Sequence, residues 1–92
     1  MTSKLVTYDL ATPNGDYTSL HTKLQTYPHW VKVTQSCWLI KSSDPSSKIC
    51  SDLESVLNND DRLFVAEIAE DVAWVLPHMD TIALKLVLHA KN

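Results

Sequence analysis

The side chains of this 92-residue chain that could do chemistry are scattered, so each has to be weighed by itself. Asp9 closes an apolar run and stands just ahead of Ala11-Thr12-Pro13-Asn14-Gly15, where an aspartate commonly caps the turn. Its value for anything else depends on what the fold brings to it. His21, His29, His78 and His89 show no i, i+4 pair and no neighbouring Cys or Glu at ligand spacing, so they read as surface or helix-end residues rather than metal ligands or a general base. Cys37 and Cys50 stand thirteen positions apart without a CxxC or His-Cys partner, which excludes a zinc knuckle and a disulfide framework and suits buried thiols in a reducing compartment. Trp30, Trp38 and Trp74 have the rings to stack on bases, with Lys32 and Lys41 on the same predicted hairpin. In so small a domain the same rings serve equally as core and interface anchors. Residues 42–48 offer hydroxyls and Lys48 at a helix start, a place that suits a phosphate, but Asp44 is expected to cap it with negative charge. Asp60, Asp61, Glu70 and Asp71 form an acidic surface without the regular spacing of a calcium loop.

These residues need elements to hold them. Residues 5–10 alternate as a strand, with Val6, Tyr8 and Leu10 on one face and Leu5, Thr7 and Asp9 on the other. After the turn, Tyr17, Leu20, Leu24 and Tyr27 recur at helical steps, so an amphipathic helix is predicted from Asp16 until Pro28 stops it. Residues 30–34 and 36–41 are β-branched and aromatic runs that predict a hairpin. Pro45 is expected at the first position of a second helix, whose buried stripe is Ile49, Leu53, Val56 and Leu57. Residues 62–69 resume strand character. The order strand, helix, strand, strand, helix, strand predicts an α+β, ferredoxin-like domain with strands one and three central in a four-stranded antiparallel sheet. Strand four then forms an apolar edge that no lysine blunts, which a soluble protein should pair or cover. Residues 72–76 read as a short fifth strand and 77–90 as a last helix, apolar on more than one side.

Composition bounds the rest. At 45% hydrophobic and 21% charged, the chain reads as one globular domain over residues 1–92, with a thin core that self-association would help. Net charge is −3, divided into +2 over residues 1–41 and −5 over 42–92, which argues against binding nucleic acid through bulk electrostatics while leaving room for a local contact. A charge arrives too early for a signal peptide and no 18-residue apolar run occurs, so a cytoplasmic protein without a membrane partner is expected.

Several short motifs, taken in order, carry a family likeness. The Tyr8-Asp9-Leu10 end of the first strand, Tyr27 and Trp30 around the helix exit, the Thr34-Gln35-Ser36-Cys37-Trp38-Leu39 run, and Leu63-Phe64-Val65-Ala66-Glu67-Ile68 ahead of Trp74 resemble the small CRISPR-associated second adaptation subunit, above all its stand-alone SinR-like relatives. The likeness spans residues 4–76. It implies a ferredoxin-like homodimer joined through residues 63–76, the segment after strand four pairing with the partner's sheet. It also implies that Asp9 faces its symmetry mate across a two-fold axis. Two carboxylates meeting there repel unless a cation or a shared proton lies between them, and hard oxygen ligands suit magnesium. Asp9 is thereby implied as both catalytic residue and metal ligand, with Mg2+ as cofactor. Members of that family are either metal-dependent endonucleases acting on RNA or DNA, or non-catalytic structural subunits. The expectation is a magnesium-dependent endonuclease, the alternative a non-catalytic homodimeric module that binds another protein. The chain lacks the adaptation subunits' run of arginines near the first helix, which counts against binding long DNA.

Overall fold

The computed structural model describes residues 1–12, 15–69, 71–77, 79 and 81–90. Its elements follow in the order β1 (Thr2–Asp9), α1 (Thr18–Leu24), β2 (His29–Thr34), β3 (Cys37–Ser42), α2 (Ser46–Glu54), β4 (Arg62–Ile68) and α3 (Thr81–His89). The four strands form one antiparallel sheet in the order β2-β3-β1-β4, an α+β arrangement compatible with the ferredoxin-like expectation. β1 begins three residues earlier than its apolar run, because it is paired on both sides: Thr2 lies opposite Ser42 of β3 and Ser3 opposite Ile68 of β4.

Two cores lie on opposite faces of this sheet. On one, Val6 and Tyr8 of β1 and Trp38 and Ile40 of β3 meet Tyr17, Leu20 and Leu24 from the first helical segment and Ile49 and Leu53 of α2. On the other, Val31 of β2 and Leu39 of β3 meet Leu84, Val87 and Leu88 of α3. The alternation of strand side chains explains why both can exist: Trp38 and Ile40 point one way and Leu39 the other.

Both early helices are shorter than their apolar periodicity suggests. α1 stops at Leu24, and the chain then tightens into i→i+3 turns in which Thr26 N–H donates to the Lys23 carbonyl at 3.1 Å and Tyr27 N–H to Leu24 at 3.4 Å. Tyr27 thus stays against the core without being helical. α2 ends the same way, with Val56 and Leu57 donating to the Leu53 and Glu54 carbonyls at 3.1 Å each.

The start of α2 corrects an expectation. Asp44 does not cap it: Pro45, extended at φ −67° and ψ 156°, occupies the capping position, its carbonyl accepts from Lys48 and Ile49, and no side chain caps the helix. Helix begins only at Ser46, which leaves the Asp44 carboxylate one residue too early to reach the first-turn N–H groups. Asp16, by contrast, accepts from Thr18 N–H at 3.0 Å from the position ahead of Tyr17, the capping residue of α1.

A second correction concerns residues 72–76, which form no strand within the chain. Val72, Trp74 and Leu76 instead pack onto the α3-side core, while Val75 between them is 89% exposed. The last helix occupies Thr81–His89 and lies chiefly against β2 and β3, while Ile68 at the end of β4 packs onto the same core. No helix among the described residues is long and apolar enough to cross a membrane.

Candidate functional site

Asp9 is the last residue of β1 and is exposed. Tyr8 beside it is buried against α1 and α2, so alternation sends Asp9 to the opposite face of the sheet with Thr7. There the β1–β4 register places Arg62 opposite Asp9 and Phe64 opposite Thr7. These residues, with the backbone of Tyr8 and Leu63 between them, line a shallow, open groove of about 340 Å³. Phe64 is 62% exposed in it, and the contacts of α3 fall chiefly on β2 and β3.

The turn after β1 is held by a different carboxylate. Asp61 Oδ1 accepts from Ala11 N–H at 2.8 Å and from the Tyr17 hydroxyl at 2.9 Å, while Oδ2 accepts from Asn58 N–H at 2.8 Å. One side chain therefore ties together the exit of β1, the entry to α1 and the loop ahead of β4. Partial desolvation pushes the Asp61 carboxyl upward, but the bonds from Ala11, Asn58 and Tyr17 together outweigh it and hold the group below its usual range. Read from sequence, Asp61 is one more charge on an acidic surface, and Asp9 is the residue expected to cap this turn. The structure reverses those roles. Among the described residues the Asp9 carboxylate makes no ion pair with the Arg62 guanidinium, although the two residues lie opposite each other in the ladder.

Tyr8 is locked from the other side. Its hydroxyl accepts from Trp38 Nε1 at 3.0 Å and donates to the Gln35 carbonyl at 3.5 Å. Burial raises the phenol's pKa above its ordinary value, the Trp38 hydrogen bond opposing and the neighbouring Cys37 adding to it. Trp38 is stacked by His21 at 6.0 Å and 24°, and Trp30 leans on it at 5.5 Å and 42°. Of the three tryptophans, Trp38 is thus a core residue, Trp74 is half-buried in the second core, and Trp30 is 40% exposed at the rim.

At the far end of the sheet Lys4 is buried. Its ammonium meets Thr2 Oγ1, the Ser42 carbonyl at 3.3 Å and Glu67 Oε1 at 3.4 Å. The hydrogen bonds from Thr2 and Lys4 and the lysine's charge hold the Glu67 carboxyl below its usual range. This cluster has its charges satisfied and lies at the opposite end of β1 from Asp9.

The other candidates separate. His29 is half-buried on β2 opposite Lys41, and His89 is exposed at the end of α3. Cys37 and Cys50 are free and half-buried, and burial pushes the Cys37 thiol up, away from the thiolate a nucleophile needs. Of the acidic surface, Asp61 is the turn anchor just described, and Asp60 and Asp71 are exposed. His78 and Glu70 lie outside the described residues.

What the groove offers chemically is one exposed carboxylate, one guanidinium opposite it and an apolar floor. Among the described residues no three His, Cys, Asp or Glu side chains gather as a metal-binding group. Among the residues that line the groove, Asp9 is the one carboxylate, a single hard oxygen donor group. A lone carboxylate is a hard oxygen donor of the kind magnesium takes, and the nearest thiol, Cys37, stands opposite Thr7 in the β1–β3 ladder. Arg62 was not legible as part of the site, because its place beside Asp9 arises from the β1–β4 register alone. Compared with known protein families and curated proteins, the chain matches no family model and no curated sequence.

Proposed function

We propose that the chain acts as a ferredoxin-like homodimer that cleaves RNA or DNA phosphodiesters with magnesium, in the manner of the CRISPR-associated adaptation subunits it resembles. The observation that carries this reading is the idleness of Asp9. It ends a central strand, is exposed, and is relieved of the turn by Asp61. Two such carboxylates brought together across a dimer axis would hold the ion, which when bound would polarise a phosphate or orient a water. Arg62 lies opposite Asp9 in the ladder, where its guanidinium suits two oxygens of one phosphate. The dimer contact is assigned to residues 63–76, which include the exposed Phe64 and Val75 and the bare edge of β4.

One observation favours a second reading. Phe64, Val75 and Leu86 are 62%, 89% and 67% exposed, and such apolar side chains equally suit a non-catalytic dimeric module that captures another protein. Asp9→Asn separates the two. Under the nuclease reading the wild type cleaves single-stranded RNA or double-stranded DNA only with magnesium, and its melting temperature rises when magnesium is added. The variant neither cleaves nor responds, and without metal it is at least as stable, because the axial repulsion is gone. A melt indifferent to magnesium, with no cleavage by either protein, refutes the catalytic reading. A monomeric mass by light scattering at micromolar concentration refutes the dimer.

A further inference from the structure

One row of the sheet collects polar groups that the strands around it leave unanswered. The register sets His29 of β2, Lys41 of β3, Ser3 of β1 and Ile68 of β4 side by side, and alternation turns all four to the α3 side, the face of Val31 and Leu39. Lys41 and Ser3 are each 6% exposed, and among the described residues neither side chain makes a hydrogen bond or an ion pair. Lysine is almost never so buried unless it is paired. Lys4, on the opposite face at the same end of the sheet, obeys that rule by meeting Glu67 and the Ser42 carbonyl. The strands offer Lys41 no such counter-ion. Asp9 and Glu67 are their only carboxylates, Glu67 faces Lys4, and Asp9 stands at the far end of β1 from Ser3, about 20 Å away by strand geometry. Asp71, just after β4, is exposed and makes no pair with Lys41.

We infer that Lys41, Ser3 and His29 bind a small tetrahedral oxyanion, either free phosphate or the terminal phosphate of a phosphomonoester. An unpartnered ammonium on so buried a side chain is costly, and a bound anion supplies the charge that the strands withhold. Access remains. No side-chain nitrogen or oxygen among the described residues is both sealed from solvent and unbonded, so the tips of Lys41 and Ser3 keep a narrow contact with water. Direct cross-strand neighbours hold their Cβ atoms about 4.5–5.5 Å apart, which sets Lys41 centrally, with Ser3 on one side and the half-buried His29 on the other. Ammonium, hydroxyl and ring N–H thus belong to three adjacent strands, and the oxygens of a tetrahedral ion diverge to meet all three. A carboxylate presents only two oxygens in one plane and leaves a donor unanswered. Lysine serves a phosphate as a point charge, without the fork of an arginine. A phosphodiester within a nucleic-acid chain does not suit the row, because both its ester links would have to enter an opening that leaves Lys41 and Ser3 only 6% exposed. Neither Asp9 nor magnesium enters this site.

The test uses the full chain in EDTA, with sodium phosphate, glycerol phosphate, sulfate and acetate as probes at constant ionic strength. Isothermal titration should show one phosphate per chain, displaced by sulfate, with acetate binding about tenfold more weakly. Lys41→Met keeps an apolar stem in the buried space and removes the charge. Without phosphate the variant should be at least as stable as the wild type, since an unpaired ammonium is gone, yet it should bind phosphate about tenfold more weakly. Ser3→Ala should weaken binding about threefold. Phosphate and sulfate also stabilise proteins by exclusion from their surface, so thermal melts are read as the difference between wild type and Lys41→Met. Millimolar phosphate should raise the melting temperature of the wild type and leave that of the variant in place. Glycerol phosphate binding at least as tightly as phosphate assigns the site to a monoester, and weaker binding assigns it to the free ion. An equal phosphate response in wild type and Lys41→Met, an unchanged affinity in Ser3→Ala, or acetate binding as tightly as phosphate would each overturn the inference.

Discussion

Replacing Tyr8 with Phe removes a single oxygen from the wall behind the Asp9 groove, and its cost can be worked out from the contacts it breaks. Trp38 is 2% exposed and its indole N–H donates to the Tyr8 hydroxyl at 3.0 Å. Tyr8→Phe leaves that donor buried without an acceptor, which costs about 1–3 kcal/mol. The bond from the same hydroxyl to the Gln35 carbonyl, at 3.5 Å, is too long to add much. Taking about 2 kcal/mol, a domain of this size should melt about 8–16 °C lower. Circular dichroism melts at a fixed protein concentration read this directly, concentration being held because a dimer's stability depends on it. A double-mutant cycle with Trp38→Phe isolates the pair, and its coupling should be about 1–2 kcal/mol. The near-ultraviolet spectrum should change in parallel, since His21 and Trp30 both rest on the Trp38 ring. A Tyr8→Phe protein that melts within about 2 °C of the wild type would refute the reasoning, because the indole would then have another acceptor or water.

Two further predictions concern the groove and its edge. Asp61→Asn should lower the melting temperature at neutral pH, because the carboxylate accepts from Ala11, Tyr17 and Asn58 at once. The folded carboxyl is held below its ordinary range, so its contribution is present above the unfolded value and is lost as pH falls through the folded one. The gap between wild type and variant should therefore be constant above about pH 5 and close as pH drops below about 4, and a pH-independent gap would contradict this. Phe64→Ser should abolish the dimer in sedimentation without lowering the melting temperature of the monomer by more than a few degrees, since the ring is 62% exposed within one chain. A dimer that survives moves the interface away from β4.

The alternation and periodicity of apolar residues were enough to place all seven elements and to assign Asp9 to the face away from Tyr8, because those patterns are local consequences of strand and helix geometry. The same patterns overran both helices, since i→i+3 turns keep Tyr27, Val56 and Leu57 facing the core after the α-helical hydrogen bonds have ceased. They also placed the α2 cap one residue early, at Asp44 rather than Pro45, where the backbone dihedral and not the side-chain type decides. The apolar run over residues 72–76 looked like a strand because Val72, Trp74 and Leu76 alternate, but alternation says only that one face is buried, and here the α3-side core buries it without a ladder. Which carboxylate holds the turn and which stands free was beyond local reading altogether. Asp9 lies two residues from Ala11, while Asp61 lies fifty away and reaches it only because β4 pairs with β1. The same pairing sets Arg62 against Asp9 and Phe64 against Thr7, and the strand order leaves β2 at the edge with Trp30 uncovered. Residue types and their short-range spacing were written in the chain, whereas the partners of its charged groups were chosen by strand register, a long-range property that no stretch of neighbouring residues encodes.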